Sequence, residues 1–449
     1  MTQAYIIGLG KSGIASAKLL QQNGWDVILC DRSTNPKLEI SQQELEKSGI
    51  TVKLGYTPSL NSESLPNLIV VSPGVPWDVP LLIEARKLNI ETIGELELAW
   101  RYLNKTPWIG ITGTNGKTTT TALIGAIFKA AGLNAPTCGN IGQPATELAL
   151  ESAKLDWIIA EISSYQIESS QELAPKIAIW TTFTPDHLNR HKNLENYHQI
   201  KATLLHRSHQ QIINGDDPYL RSHDVDLWKN SYWTSVKGKA NLPCHPSRGV
   251  YLEDAWVTAF GELILPISLF KMVGRHNQQN LLMAVAAAKL AGIDKGAIAS
   301  AISSFTGVPH RLEYVCTYRG VDFINDSKAT NYDAAEVGLK AVNGPVILIA
   351  GGEAKEGDDT AWIAKIKDKA AAVLLIGDAG NTFGKRLQEC GYEAYEIVET
   401  MDKAVKRAAQ MCEQLPVKVV LLSPACASFD QYQSFEHRGE HFKELCLNL

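Results

Sequence analysis

The sequence predicts an α/β protein of three successive domains, each built on a largely parallel sheet. Three observations carry that prediction. Apolar runs of strand length alternate with helix-length amphipathic stretches along the whole chain. Two glycine-rich turns, at residues 8–13 and 113–116, each stand between an apolar run and a helical pattern. At 449 residues the chain is longer than one hydrophobic core organises, and length alone suggests about three domains.

The first domain is expected over 1–95. AYIIGLG, DVILCD, LIVVSPG and IETIGE read as its strands, with GIASAKLLQQNG and VPLLIEARKLN as helices between them. Parallel neighbours need such crossovers, so the alternation points to a parallel sheet with covering helices. The helical stretch ELELAWRYLN leads into the second domain, expected over 96–307, with strands PWIGITGT, DWIIAEIS and KIAIWTTF. There GRHNQQNLLMAVAAAKLAG is rich in Ala and Leu and reads as a buried helix. The third domain, 308–449, begins near FTGVPHRLE and takes GPVILIAGG, AAVLLIGD and VKVVLLSPA as strands.

Composition narrows the function. Hydrophobic residues make up 45% and charged residues 20%, with a net charge of −5, so the basic excess of a nucleic-acid binder is missing. No apolar run reaches the roughly 18 residues of a membrane span. The start, MTQAYIIGLG, lacks the basic stretch of a signal peptide and enters a strand directly. Eight cysteines without a C-x-x-C spacing fit free thiols in the reducing cytoplasm. Cys244 and His245 are adjacent, but no further ligand spacing accompanies them, so they are read as fortuitous rather than as zinc ligands.

The two glycine-rich turns ask for different ligands. Gly8, Gly10 and Gly13 spell G-x-G-x-x-G, and Asp31 ends the next apolar run. Alone, that is a weak signature of NAD or FAD. The second turn runs Gly113, Thr114, Asn115, Gly116, Lys117, Thr118, Thr119 into a helix. Backbone N–H groups at such a helix start face a phosphate, a lysine adds charge for the β/γ-phosphates, and a hydroxyl suits Mg²⁺. Ile111 stands where the strict ATP loop has glycine, so this is a variant form. A nicotinamide loop and an ATP loop rarely serve one reaction, and the ligand of the first turn stays open at this point.

Further candidates cluster behind the second turn. Glu161 ends the strand DWIIAE, where a carboxylate either holds Mg²⁺ or caps a neighbouring element. Asp186 and His187 follow another strand; His187 and His191 are four apart, but without H-E-x-x-H they do not make a zinc site. Lys201 shares a helical stripe with Tyr197, Ile200, Leu204 and Leu205. A lysine there either extends to water along its stem or is buried with a partner or a modification.

GITGTNGKTTT, CGNIGQP, EISSYQIE, TPDHLNRH, GRHNQQN, PHRLE, INDSKATN and SPACASFDQYQSFEHRG together resemble the Mur ligase family over essentially the whole chain. INDSKATN and SPACASFDQ are the most specific and resemble the branch that adds D-glutamate. The resemblance implies a Rossmann-like N-terminal domain, a central P-loop ATPase-type mononucleotide-binding domain and a Rossmann-like C-terminal domain. It implies a monomer joining D-glutamate to UDP-N-acetylmuramoyl-L-alanine with ATP, in the cytoplasmic stage of peptidoglycan synthesis, through an acyl phosphate and a tetrahedral intermediate.

By the same resemblance the first turn holds the uridine diphosphate, not a nicotinamide. Gly10, Lys11, Ser12, Asp31, Arg32 and Ser72 lie in that region, although Arg32 follows the acid by one residue where a familiar form has two. Asn140, Ser163 and Gln166 match further contacts to this substrate. Two Mg²⁺ ions are implied, one at Thr118 and Glu161, the other at His187 and a carbamylated Lys201. Lys117 serves the phosphates; Asn277, Arg311 and Asp326 match nucleotide contacts, Asp326 at the ribose. Lys328, Thr330, Lys355, Ser428, Phe429 and Phe435 match the D-glutamate region, Phe435 being equally readable as core packing. Residues drawn from three domains imply closure by domain rotation.

Overall fold

The computed structural model describes residues 2–60, 65–151, 153–186, 188–223, 225–272, 274–353 and 357–449. The chain forms two compact units, Met1–Phe270 with Gln278–Phe305, and Lys271–Asn277 with Thr306–Leu449.

The first unit contains two sheets. In the five-stranded one the order is Thr51–Leu54, Asp26–Asp31, Gln3–Ile7, Leu68–Val71, Glu91–Gly94, and every ladder is parallel. The chain builds outward from Gln3–Ile7 in one direction, then returns to its other side with Leu68–Val71. That reversal opens a crevice at the carboxyl ends of these two strands. The helix Pro36–Lys47 and the strand Thr51–Leu54 escape the sequence reading for a physical reason. The helix is mostly polar, with Leu45 as its deeply buried anchor, and the strand exposes alternate residues.

The nine-stranded sheet runs Glu262–Pro266, Trp256–Ala259, Gly249–Glu253, Tyr232–Ser235, Gln210–Asn214, Ile177–Trp180, Trp108–Thr112, Ile158–Glu161, Thr137–Gly139. Seven consecutive strands, from Thr137–Gly139 to Gly249–Glu253, pair in parallel. Trp256–Ala259 and Glu262–Pro266 extend the sheet antiparallel, an addition with no signal in the strand–helix alternation. Ile109, Ile111, Ile158, Ile159, Ile177 and Ile179 are fully buried, as strands covered on both faces require.

Helix Glu95–Leu103 follows the first sheet and is pinned by two buried acids. Glu95 accepts hydrogen bonds from the Thr146 amide (2.7 Å) and hydroxyl (2.8 Å). Glu97 accepts from the amides of Gln171, Glu172 and Leu173 at 2.9–3.1 Å. A buried carboxylate is tolerated when donors replace its water; those to Glu97 come from the segment that follows the helix Ser164–Glu168, and those to Glu95 from the start of helix Ala145–Leu150.

The second unit holds a six-stranded sheet in the order Glu313–Tyr318, Val321–Asn325, Val419–Leu422, Val346–Gly351, Ala370–Ile376, Tyr395–Glu399. Its first pair is antiparallel and the rest parallel. Glu313–Tyr318 is an edge strand with partly exposed residues throughout, which hides it from a reading based on apolar runs. Among the described residues no helix is long and apolar enough to cross a membrane.

Candidate functional site

The first glycine turn caps the crevice of the five-stranded sheet. Gly10 is the N-cap of helix Lys11–Gln22, and Gly13 packs so closely on the Gly8 carbonyl that a Cβ there would collide with it. A cavity of about 700 Å³ opens here, lined by Gly10, Lys11, Ser12, Asp31, Arg32 and Ser72, with Tyr56 and Pro58 opposite. Asp31 spends its carboxylate on the turn itself, Oδ2 accepting from Leu9 N–H and Oδ1 from Ser33 N–H (2.8 Å each). The Ser72 hydroxyl donates to the Gly8 carbonyl (2.9 Å). Both side chains therefore shape the loop, while Lys11 and Arg32 are exposed around it.

The second turn follows Trp108–Thr112, again where the strand order reverses. Gly116 is the N-cap of helix Lys117–Ala130 at φ +86°, a left-handed conformation that favours glycine. Lys117 Nζ donates to the Gly113 and Thr114 carbonyls (2.8 Å each). Asn115 N–H donates to Thr182 Oγ1 (2.9 Å), Thr114 Oγ1 donates to the Thr184 carbonyl (3.1 Å), and Thr118 and Thr119 are buried in the first helical turn. The loop is thus fastened to the segment after Ile177–Trp180.

Two buried ionisable groups stand near this loop. Lys201, on helix Leu194–Arg207, is 1% exposed. Its Nζ donates to the Gly113 carbonyl (3.1 Å) and Thr112 Oγ1 (3.3 Å) and lies 4.7 Å from the Tyr197 ring centre. Burial, reinforced by the charge of Lys117, holds Lys201 well below the usual lysine range against a weaker opposite pull from Asp186. The expected inward lysine is therefore present, and its burial favours the neutral amine over the ammonium. Glu161 is 2% exposed; Oε1 accepts from Asn140 Nδ2 (2.8 Å), and Oε2 is buried with no hydrogen-bond partner among the described residues. A buried carboxylate oxygen without a donor is the kind of group a hard cation satisfies, so the residues present fit Mg²⁺. No group of three or more His, Cys, Asp or Glu residues is placed to hold a metal ion by itself among the described residues. His187 lies outside the described residues. Ser163 and Gln166 cap one another at the start of helix Ser164–Glu168, the Gln166 amide donating to Ser163 Oγ (3.3 Å) and Ser163 N–H to Gln166 Oε1 (3.0 Å).

The second unit carries the remaining candidates. Asn277 is buried, and Arg311 is partly buried with Nε lacking a partner among the described residues. Asp326 accepts from the Ser423 hydroxyl (2.9 Å) and Leu312 N–H (3.3 Å); burial pushes its carboxyl up to about 7, opposed by Arg311 and these hydrogen bonds. Lys328 Nζ stands 5.3 Å from the Phe435 ring centre, Thr330 N–H donates to the Lys328 carbonyl (3.0 Å), and Ser428 is buried. Phe429, by contrast, is 69% exposed, more than a side chain serving the core would be. Lys355 lies outside the described residues.

Arg438 was not anticipated. It is 1% exposed and binds Ser327 Oγ (2.9 Å), the Ser327 carbonyl (2.8 Å), the Cys426 carbonyl (3.0 Å) and the Ala427 carbonyl (3.1 Å). One guanidinium thus ties together the loops that carry Lys328 and Ser428, and burial pushes it down to about 10. Its sequence signal is faint: Phe435, Arg438, Gly439 and Phe442 share a helical face in an otherwise polar stretch.

Comparison with known proteins follows this geometry. Residues 2–94 match the Mur ligase MurD-like N-terminal domain, 111–288 the Mur ligase middle domain and 310–426 the Mur ligase glutamate ligase domain. UDP-N-acetylmuramoylalanine–D-glutamate ligases of Crocosphaera subtropica and Gloeothece citriformis are each 69% identical, over the full length of both chains. That of Synechocystis sp. is 62% identical, also over both full lengths. The chain belongs to the Mur ligase family. Solved structures share the Mur ligase fold at low identity. The UDP-N-acetylmuramate–alanine ligase of Thermotoga maritima superposes with TM-score 0.61 at 20% identity, covering both chains fully. A pseudomurein peptide ligase type C of Methanothermus fervidus gives 0.62 at 19% identity, again over both full chains. The three-domain α/β Mur ligase architecture is therefore the one the strand–helix alternation predicts.

Proposed function

We propose that this chain is an ATP-dependent, ADP-forming ligase that joins D-glutamate to UDP-N-acetylmuramoyl-L-alanine in cytoplasmic peptidoglycan precursor synthesis. The observation that carries the reading is full-length identity of 69% to ligases named for that reaction. The second glycine turn, with Lys117, Lys201 and Glu161 around it, supplies compatible chemistry.

A carboxylate resists attack by an amine because its leaving group is poor. Transfer of the γ-phosphoryl group to the L-alanyl carboxylate gives an acyl phosphate, which the D-glutamate amine attacks through a tetrahedral intermediate. Catalysis of this kind rests on positioning and on charge neutralisation. Lys117 and the N–H groups of the helix start face the β/γ-phosphates. Thr118 and Glu161 Oε2 would hold one Mg²⁺, and His187 with Lys201 a second; the ions supply positive charge against the phosphates and the acyl carboxylate. Burial favours the neutral amine of Lys201, and a neutral amine adds to CO₂, forming an N–C bond and releasing a proton to solvent. The product is an anion in the place of a cation, which is what a metal ligand requires.

The first glycine turn takes the uridine diphosphate, with Asn140, Ser163 and Gln166 further along the same substrate. Asn277, Arg311 and Asp326 serve the ATP nucleoside and phosphates. Lys328, Thr330, Lys355, Ser428, Phe429 and Phe435 form the D-glutamate region, where cations pair with carboxylates. Phosphate release tests the reading. With ATP, Mg²⁺ and UDP-N-acetylmuramoyl-L-alanine present, D-glutamate is expected to trigger release while L-glutamate, L-alanine and L-lysine do not. Release triggered equally by another amino acid would overturn the assignment.

A further inference from the structure

The Tyr197 ring beneath Lys201 has a neighbour to which the proposed chemistry gives no role. His191 is 3% exposed and lies between helix Ser164–Glu168 and helix Leu194–Arg207. Its ring stacks on Tyr197 (centroids 5.1 Å apart, planes at 22°) and on Tyr165 (5.5 Å, 27°). Its Nε2 is 2.9 Å from Ser164 Oγ, and its carbonyl accepts from Asn196 Nδ2 (3.2 Å). Tyr197 is also stacked on Phe183 (5.2 Å, 29°), and its hydroxyl shares a hydrogen bond with Thr114 Oγ1 (3.3 Å). Tyr197 is therefore held by flat rings and tied to the ATP loop, and its ring underlies Lys201 Nζ at 4.7 Å. Offset-stacked rings restrain one another in tilt and translation. A side chain bearing on such a ring inherits that restraint, and reacting groups are sensitive to displacements of about 1 Å.

We infer that His191 is a positioning residue: its imidazole fixes the Tyr197 ring and, through it, the place of the Lys201 head beside the ATP loop. The part of the residue that bears on Tyr197 is its flat ring, which stacks on both Tyr197 and Tyr165. This rests on the reading that Lys201 is carbamylated. A carbamate formed on a wandering lysine loses its fixed surroundings, so its equilibrium occupancy falls and rises again with dissolved CO₂.

The test uses the whole enzyme in ¹³C-bicarbonate, with the carbamate carbon read by NMR and turnover measured alongside. His191→Leu fills nearly the same space without a flat ring. It is expected to lose most of the carbamate signal at ambient bicarbonate and about tenfold in kcat, with KM for ATP changed less than about twofold. Raised bicarbonate should restore both signal and turnover, which a merely loosened fold would not do. His191→Phe, which keeps the flat ring, should stay within about threefold of wild type. Should His191→Leu fail to fold, Tyr165→Leu removes the other ring stacked on His191 and should give a smaller, equally bicarbonate-dependent loss. A His191→Leu enzyme with wild-type signal and kcat, or a His191→Phe enzyme as damaged as His191→Leu, would overturn the inference. A wild-type enzyme with no carbamate signal would instead overturn the Lys201 reading beneath it.

Discussion

The two glycine turns of the first unit share a plan and differ in what stands behind them. Each follows a strand at the point where its sheet reverses direction, and each opens a helix with a glycine N-cap. Behind the first, Asp31 and Ser72 are spent on the turn, Asp31 binding the Leu9 and Ser33 amides and Ser72 the Gly8 carbonyl, while Lys11 and Arg32 stay exposed at the cavity. Behind the second, Lys117 and Lys201 rest on neutral loop carbonyls, and Glu161 keeps a buried oxygen without a partner among the described residues. A loop that only holds a ligand can use its charges to stay rigid. On the proposed function, a loop that must answer charge developing on a phosphoryl group gains from cations held close to it.

Substitutions should separate these roles. Lys117→Ala should have the largest effect, a fall in kcat of about a thousandfold or more, with the thermal midpoint nearly unchanged because little core is lost. Phosphate release at the wild-type rate would remove Lys117 from the chemistry. Lys201→Ala comes next, with a loss on the order of a hundredfold. Formate or acetate should restore part of that loss by supplying the missing anionic oxygen. Lys201→Arg places a permanent cation where the anion is needed and should remain inactive; an active Arg variant would exclude a carbamate. At the first turn the effect should be small and confined to binding. Asp31→Asn leaves one of two amides without its acceptor, and KM for the UDP-substrate should rise about tenfold with kcat retained. A tight NAD complex, in that variant or in wild type, would break the contrast between the loops.

Interior strands that mix in polar residues, such as Gln210–Asn214, Tyr232–Ser235 and Val321–Asn325, escaped the reading, whereas apolar runs made four strands of the first sheet and three of each of the others legible, because strands covered on both faces must be apolar almost throughout. Elements that lie at an edge or on the surface were not. Helix Pro36–Lys47 is largely polar, and Glu313–Tyr318 exposes part of every residue. The second glycine turn and the inward Lys201 could be read because spacing and helical stripe are local properties. Asp31 shows the limit of local reading. Its position suggests a ligand contact, and it does line the cavity, but its partners, Leu9 and Ser33, are set by how the turn closes. Arg438 shows it more strongly, since the carbonyls it binds come from residues 327, 426 and 427, and no pattern near 438 announces them.

The second unit adds a pH test of the smallest effect. Asp326 titrates near 3.8 when unfolded and at about 7 when folded, so the folded chain binds more protons across that interval. Its contribution to stability is therefore fully present at low pH, falls as pH rises from about 4 to about 7, and is flat above. Asp326→Asn should remove that slope from a plot of thermal midpoint against pH. An unchanged slope would place the titration elsewhere.

The most direct measurement of the central claim follows oxygen. UDP-N-acetylmuramoyl-L-alanine labelled with ¹⁸O in its carboxylate is turned over with ATP and D-glutamate, and the products are weighed by mass spectrometry. If the second turn transfers the γ-phosphoryl group to that carboxylate, each released phosphate carries one ¹⁸O and the new amide keeps the other. Unlabelled phosphate, or label appearing in AMP, would contradict the account.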